Sequence, residues 1–165
     1  MRVLAALLLT VSLFANENAT IENPAIDMAG FLEDAGEAAE SREGRRVTEE
    51  EFLAWSREPG TIVLDARSAD KFRERHIRGA VNLSFTDFTA AALARVIPTK
   101  ETRVLIYCNN NFMNDEQAFA EKSFRASLNL STWVALHTYG YRNVYELGPR
   151  VDVNTTKLPL VSAGR

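Results

Sequence analysis

Apolar residues fall in short, sharply bounded runs along this chain. Two of them have the length and composition of buried strands: Thr61-Ile62-Val63-Leu64-Asp65 and Arg103-Val104-Leu105-Ile106-Tyr107, each stopping abruptly at polar residues. A third strand is expected over Asn143 to Leu147, and His76 to Leu83 reads as a loop entering a further short strand, with Gly79 allowing the turn. Helical signals lie between these runs. In Val47-Thr48-Glu49-Glu50-Glu51-Phe52, Thr48 can cap a helix, Glu51 can bond back to it, and Val47 and Phe52 can close a hydrophobic staple. That helix is expected over about residues 49–57, before the Pro59-Gly60 turn.

Ser68 is placed to cap a short helix that carries Phe72 inward. Residues 86–97 place Phe88, Leu93, Val96 and Ile97 at helical spacing, ended by Pro98. Asn114 resembles an N-cap for a short helix bearing Phe119 and Phe124. Ser127 caps a more apolar helix from Leu128 to Tyr139, with Leu130, Val134 and His137 at helical spacing and Gly140 as its terminator. Upstream, a helix is expected around Ile26 to Ala39, with Phe31, Leu32 and Ala35 on one face. Strands alternating with helices imply βαβ units and a parallel, doubly covered sheet, an α/β fold.

Composition narrows the picture. The chain has 165 residues, 46% hydrophobic and 25% charged, which suits one soluble globular domain. Its formal net charge of -3 and the absence of a long Lys/Arg block argue against a nucleic-acid surface or an anionic membrane partner. Met1-Arg2, the apolar run Val3 to Phe14 and the exit at Ala15 form the pattern of a secretory signal peptide over residues 1–15. That run is short for a bilayer span, so no stable membrane insertion is expected after cleavage, and an uncleaved anchor is the alternative. The expected location is exported, in the periplasm. Residues 16–46 read as a polar, partly helical or flexible extension, and the domain proper as residues 47–161.

The chain has one cysteine, Cys108, so no internal disulfide can form. An unpaired thiol in an exported protein is open to oxidation unless it is buried or used. Cys108 sits just beyond the end of an apolar strand, the edge at which open α/β sheets bind ligands. Backbone N–H groups and a following helix N-terminus can stabilise a thiolate there. A buried cysteine acting as a small hydrophobe is the alternative. Asn109, Asn110 and Asn111 tolerate left-handed backbone and can aim N–H groups at the sulfur, though a plain polar turn also explains them. Two histidines and one cysteine far apart in sequence give no metal-ligand spacing.

Four segments together resemble the rhodanese-like domain family: Ile62-Val63-Leu64-Asp65-Ala66-Arg67 with Phe72, His76-Ile77-Arg78-Gly79-Ala80-Val81-Asn82-Leu83, the strand ending in Cys108, and Tyr139-Gly140-Tyr141-Arg142-Asn143-Val144-Tyr145 with Leu147. The resemblance implies a three-layer sandwich with a central parallel sheet flanked by helices. It implies sulfurtransferase chemistry through a Cys108 persulfide, without metal or organic cofactor, between a small anionic sulfur donor and a thiol or other nucleophilic acceptor, which can be a protein. Cys108 matches the family's catalytic position. Asn109, Asn110, Asn111 and Phe112, with Lys71 and Arg125, are the expected substrate contacts. Asp65, Arg67 and His76 are expected to order the neighbouring loops.

Two departures from the family pattern stand out. The helix after the cysteine begins near Leu128, leaving an insertion over residues 109–126 that can lid the site, donate Lys122 or Arg125, or replace the usual sulfur cradle. Asn114 stands where phosphatase relatives have an arginine six residues after the cysteine, which argues against a phosphatase or arsenate reductase. A redox-sensitive or non-catalytic binding module that uses the insertion is the alternative function.

Overall fold

The structure, a computed structural model, describes residues 23–162, so the leader expected over residues 1–15 lies outside the described residues. In chain order the first half forms α1 (Met28–Arg42), β1 (Arg46–Val47), α2 (Glu49–Trp55), β2 (Ile62–Asp65), α3 (Ala69–Glu74), β3 (His76–Ile77) and β4 (Val81–Asn82). The second half forms α4 (Ala90–Val96), β5 (Val104–Tyr107), β6 (Phe112–Met113), α5 (Leu128–Thr138), β7 (Val144–Leu147), β8 (Val151–Asp152) and β9 (Leu160–Val161). Five strands make one sheet in the order β1-β7-β5-β2-β4, every pair parallel. β5 is central and all four of its residues are buried, as a strand covered on both faces requires.

Side-chain alternation divides the core into two layers. Val63, Leu105, Tyr107 and Leu147 pack with Phe52 of α2 on one face of the sheet. Leu64, Val104, Ile106 and Val144 pack on the other with Ala38 of α1, Leu93 of α4, and Trp133 and Leu136 of α5. This is the expected three-layer α/β sandwich. Among the described residues no helix is long and apolar enough to cross a membrane.

Local signals hold where capping chemistry is strong. Thr48 and Glu51 form the reciprocal capping box, and Val47 and Phe52 are both buried in one cluster. Ser68 caps α3 by accepting from the Lys71 N–H. α4 starts later than expected because a 3-10 turn occupies Phe85–Asp87 and Thr89 provides the cap.

Three expectations are corrected. The helix near Ile26 to Ala39 exists as α1, but Phe31 and Leu32 face solvent and only Ala38 is buried. α1 meets α5 through Ala38 and polar contacts, Glu37 to His137, Asp34 to Thr138 and Ser41 to Trp133. On α5 the buried face is Asn129, Thr132, Trp133, Leu136 and His137, leaving Leu130 at its margin, because this helix must cover both the sheet and α1.

The helix expected after Asn114 does not form. Phe112–Met113 instead pairs with β8, Asn114 adopts a left-handed φ of 69°, and a single turn follows in which Asp115 accepts from the Ala118 N–H. Phe119 stacks on Phe112 with ring centroids 4.2 Å apart, whereas Phe124 is exposed in a 3-10 turn. Pairing with β8 and burial of Phe119 outweigh the local helical preference.

A buried ion pair fastens this region to the sheet. Asp65, at the end of β2, accepts from Arg67 Nη2 at 2.6 Å and from the Tyr107 hydroxyl at 2.5 Å. Arg67 also donates to the carbonyls of Ala118 (3.0 Å) and Arg75 (2.6 Å). Burial opposes the charge of Arg67, but its bonds to Asp65 hold the guanidinium above its ordinary range. Removing one partner of such a pair costs about 3–5 kcal/mol because the other is left buried and uncompensated.

Burial, reinforced by the Asp65 carboxylate, holds the Tyr107 phenol well above its ordinary 10.0. The folded chain therefore keeps this proton at pH values where the unfolded chain releases it. Stability is unaffected by this group below about pH 10 and falls as the pH rises beyond it. Urea unfolding across pH 8 to 11 is expected to show that fall, and Tyr107→Phe, which has no proton to lose, is expected to flatten it.

Candidate active site

Cys108 follows Tyr107 at the carboxyl end of the central strand, and the next three residues form a 3-10 turn. Asn111 fixes that turn. Its Oδ1 accepts from the Cys108 N–H at 2.9 Å and from Asn129 Nδ2 at 3.0 Å, while its Nδ2 donates to the Leu147 carbonyl at 2.7 Å. One side-chain amide thus ties the cysteine to α5 and to the end of β7. The Cys108 sulfur lies 3.4 Å from the Ser127 hydroxyl, at the N-terminus of α5. Ser127 makes no side-chain bond to the helix backbone, so the expected cap faces the thiol instead.

A cleft of about 290 Å³ leads to the sulfur. Its lining includes Arg42, Arg46, Arg150 and Glu146, with Ser127, Asn129, Phe124 and Leu130. Arg42 clamps Glu146 through two bonds of 2.6 and 2.7 Å. Arg46 donates to the Gly148 carbonyl at 3.0 Å, and Arg150 to Glu121 at 2.8 Å. Three guanidinium groups against one lining carboxylate make this a cationic opening, suited to an anion approaching the sulfur.

Of the sequence-expected substrate contacts, Asn110 and Asn111 line this cleft with Cys108, and the others lie elsewhere. Asn109 donates to the Ala120 carbonyl, and Asn110 exchanges bonds with the Lys122 backbone, so both secure the 109–126 insertion. Phe112 is a core residue packed on Tyr107 and Phe119 and does not line this cleft, because its ring closes the layer beneath the insertion. Lys71 does not line the cleft: its ammonium bonds Glu74 at 2.7 Å and reaches the Gln117 carbonyl. Arg125 is exposed and is also absent from the lining, since the 3-10 turn directs Phe124 there instead. Asp65 and Arg67 order the loops, and His76 stacks on Phe72 with Nδ1 2.8 Å from the Phe72 carbonyl oxygen.

Sequence reasoning missed Ser127's approach to the sulfur and all three arginines of the cleft. One signal was present. Glu146 is a charged residue inside the apolar run Val144 to Leu147, and a carboxylate on a doubly covered strand demands a cationic partner. Among the described residues no group of three or more His, Cys, Asp or Glu side chains is arranged to hold a metal ion.

Comparison with known proteins places the fold. The sequence model of the family described as Rhodanese-like domain matches residues 48–148. No curated protein matches the chain. Among solved structures, a rhodanese-like domain from Anabaena sp. is similar at 16% identity and a TM-score of 0.50, over 72% of this chain and 79% of that one. A Helicobacter pylori protein is 23% identical with a TM-score of 0.47, over 73% and 91% of the two chains. A rhodanese with anions from E. coli is 20% identical with a TM-score of 0.41, over 62% and 98%.

The burial of Cys108, 1% exposed, and the Asn111 ties make its reactivity a probe of the loop. Iodoacetamide is expected to label Cys108 far more slowly in the folded protein than in urea. Asn111→Ala, which cuts the loop from Asn129 and β7, is expected to speed folded-state labelling in a mass-spectrometric time course.

Proposed function

Because the chain belongs to the rhodanese-like domain family, we propose that it is a sulfurtransferase whose Cys108 carries the sulfur between donor and acceptor. The observation that carries this reading is the placement of the sole cysteine: at the carboxyl end of the central strand, facing the N-terminus of α5, at the base of a cleft with three arginines.

The reaction is a double displacement. The Cys108 thiol gives its proton to solvent, and the thiolate attacks the outer sulfur of thiosulfate or of a persulfide. A bond forms between Cys108 Sγ and that sulfur as the donor's own sulfur–sulfur bond breaks, and the departing sulfite or thiolate keeps the electron pair. An acceptor nucleophile then attacks the terminal sulfur and Cys108 leaves as thiolate. No electrons enter or leave overall. The Ser127 hydroxyl can donate to the anionic sulfur, a charged hydrogen bond of about 1.5–3 kcal/mol. The N-terminus of α5 favours the same negative charge by up to about 2 kcal/mol in a partly buried geometry.

Near-complete burial of Cys108 favours one second reading, a binding module in which the 109–126 insertion docks a partner and the thiol carries no sulfur. Intact mass separates the two. Reduced protein treated with thiosulfate or a small persulfide is expected to gain one sulfur, about 32 Da, which cyanide or dithiothreitol removes and which Cys108→Ser lacks. No gain with any donor, while Cys108 still accepts iodoacetamide, would contradict the sulfurtransferase reading and favour the binding module.

A further inference from the structure

We infer that Arg42, in the last turn of α1, is a positioning residue for Cys108: by matching the charge of Glu146 it lets the sheet face beside the sulfur hold a thiolate. The inference rests on the proposed sulfur chemistry only in taking the thiolate as the working form of Cys108.

The geometry follows from the sheet register. Glu146 lies opposite Ile106 in the parallel β5–β7 pairing, and Cys108 continues the line of β5 two residues further in extended backbone. Residues two apart on a strand share a face, and Ile106 packs with Val144 on the face covered by α1 and α5. Glu146 and Cys108 therefore project to that same face, and both line the cleft. Strands about 4.8 Å apart, with a rise of about 3.3 Å per residue, put their Cα atoms roughly 8 Å apart. An unmatched carboxylate at that range opposes a second negative charge on the sulfur. At an effective dielectric of about 20 the repulsion moves a titration midpoint by about one pH unit or slightly more.

A glutamate is an unexpected residue at this position. Its neighbours on the face, Val144 and Ile106, are apolar, and its side chain is only 5% exposed. Apolar residues of similar volume are often as stabilising as a buried ion pair, so stability alone does not account for it. Arg42 meets the carboxylate in bidentate fashion, Nε to Oε2 at 2.6 Å and Nη2 to Oε1 at 2.7 Å. The other charged groups around the sulfur are matched elsewhere or screened. Arg46 comes no closer to Glu146 than 4.0 Å and is half exposed to water. Arg150 pairs with Glu121 of the insertion, and α5 presents the neutral Ser127 hydroxyl. Asp65 and Arg67 bond one another around Tyr107, which packs on the opposite face. Arg42 thus decides whether Glu146 acts on the sulfur as half of a matched pair or as a net negative charge. It precedes residues 48–148, the span of the family match, so α1 contributes to the reactive centre from outside that span.

The test follows the ultraviolet absorbance of the Cys108 thiolate against pH in the full chain, with the signal of Cys108→Ser subtracted. R42Q leaves Glu146 unmatched and is expected to raise the midpoint by about one pH unit. E146Q leaves Arg42 unmatched and is expected to lower it. R42Q/E146Q, neutral at both positions, is expected to return it close to that of the unsubstituted chain, and R42K to shift it less than R42Q. E37Q weakens the contact of α1 with His137 without changing the charge of the cleft, and is expected to leave the midpoint in place. Shifts of R42Q and E146Q in the same direction, an E37Q shift equal to that of R42Q, or no shift in any variant would overturn the inference. If R42Q does not fold, E146Q decides alone: a lowered midpoint supports the inference and an unchanged or raised one overturns it. Sulfur loading of Cys108 is read separately by mass. Opposed shifts without loading remove the sulfurtransferase reading and leave the role of Arg42 standing; loading without opposed shifts does the reverse.

Discussion

The buried pair of Asp65 and Arg67 holds together the parts of this structure that matter for its chemistry. Asp65 lies opposite Tyr107 in the β2–β5 register, one residue before the cysteine, and accepts the Tyr107 hydroxyl bond. Arg67 reaches from the same carboxylate to the backbone of the insertion at Ala118 and of α3's end at Arg75. Two charges removed from water are tolerated only when nearly every donor and acceptor finds a partner, and here the partners are the strand, the helix end and the inserted loop. The cost of satisfying one ion pair thus becomes the constraint that positions three segments around Cys108.

The insertion is held from several sides. Arg75 pairs with Asp115, Lys71 with the Gln117 carbonyl, Asn109 with the Ala120 carbonyl and Arg150 with Glu121. These contacts differ in strength. The exposed Arg150–Glu121 pair is weak, whereas the Arg67 bond to Ala118 is buried and charge-assisted. The part of the insertion packed on Phe112 is therefore anchored firmly, and the part near Phe124, at the mouth of the cleft, is held least. Access to a nearly buried sulfur is most easily gained on that side.

Much of the fold was legible from the chain. The β2 and β5 runs, the Thr48–Glu51 box and the alternation of strands and helices each carry a local signature that tertiary packing reinforces. Cys108 could be placed at the strand end for the same reason. The cleft around it was less legible, since Arg42 and Arg46 precede the matched domain and Arg150 follows it, and nothing local marks them as neighbours of a cysteine. Residues 113–125 misled because Asn114 and the acidic residues after it resemble a helix start, while β8, the strand that captures Phe112 and Met113, lies almost 40 residues downstream. Lys71 and Arg125 were reasonable anion ligands by charge alone. Their placement depends on which loop each side chain meets, and short-range pattern does not encode that.

The central claim is that Cys108 holds a transferable sulfur beneath the N-terminus of α5, within reach of Ser127. A crystal structure of the protein after exposure to thiosulfate tests it most directly. The account predicts an additional sulfur bonded to Cys108 Sγ and in hydrogen-bond contact with the Ser127 hydroxyl, with Asn111 still bonded to Asn129 and Leu147. An unmodified thiol under conditions that load established sulfurtransferases, or an added sulfur turned away from α5, would contradict it.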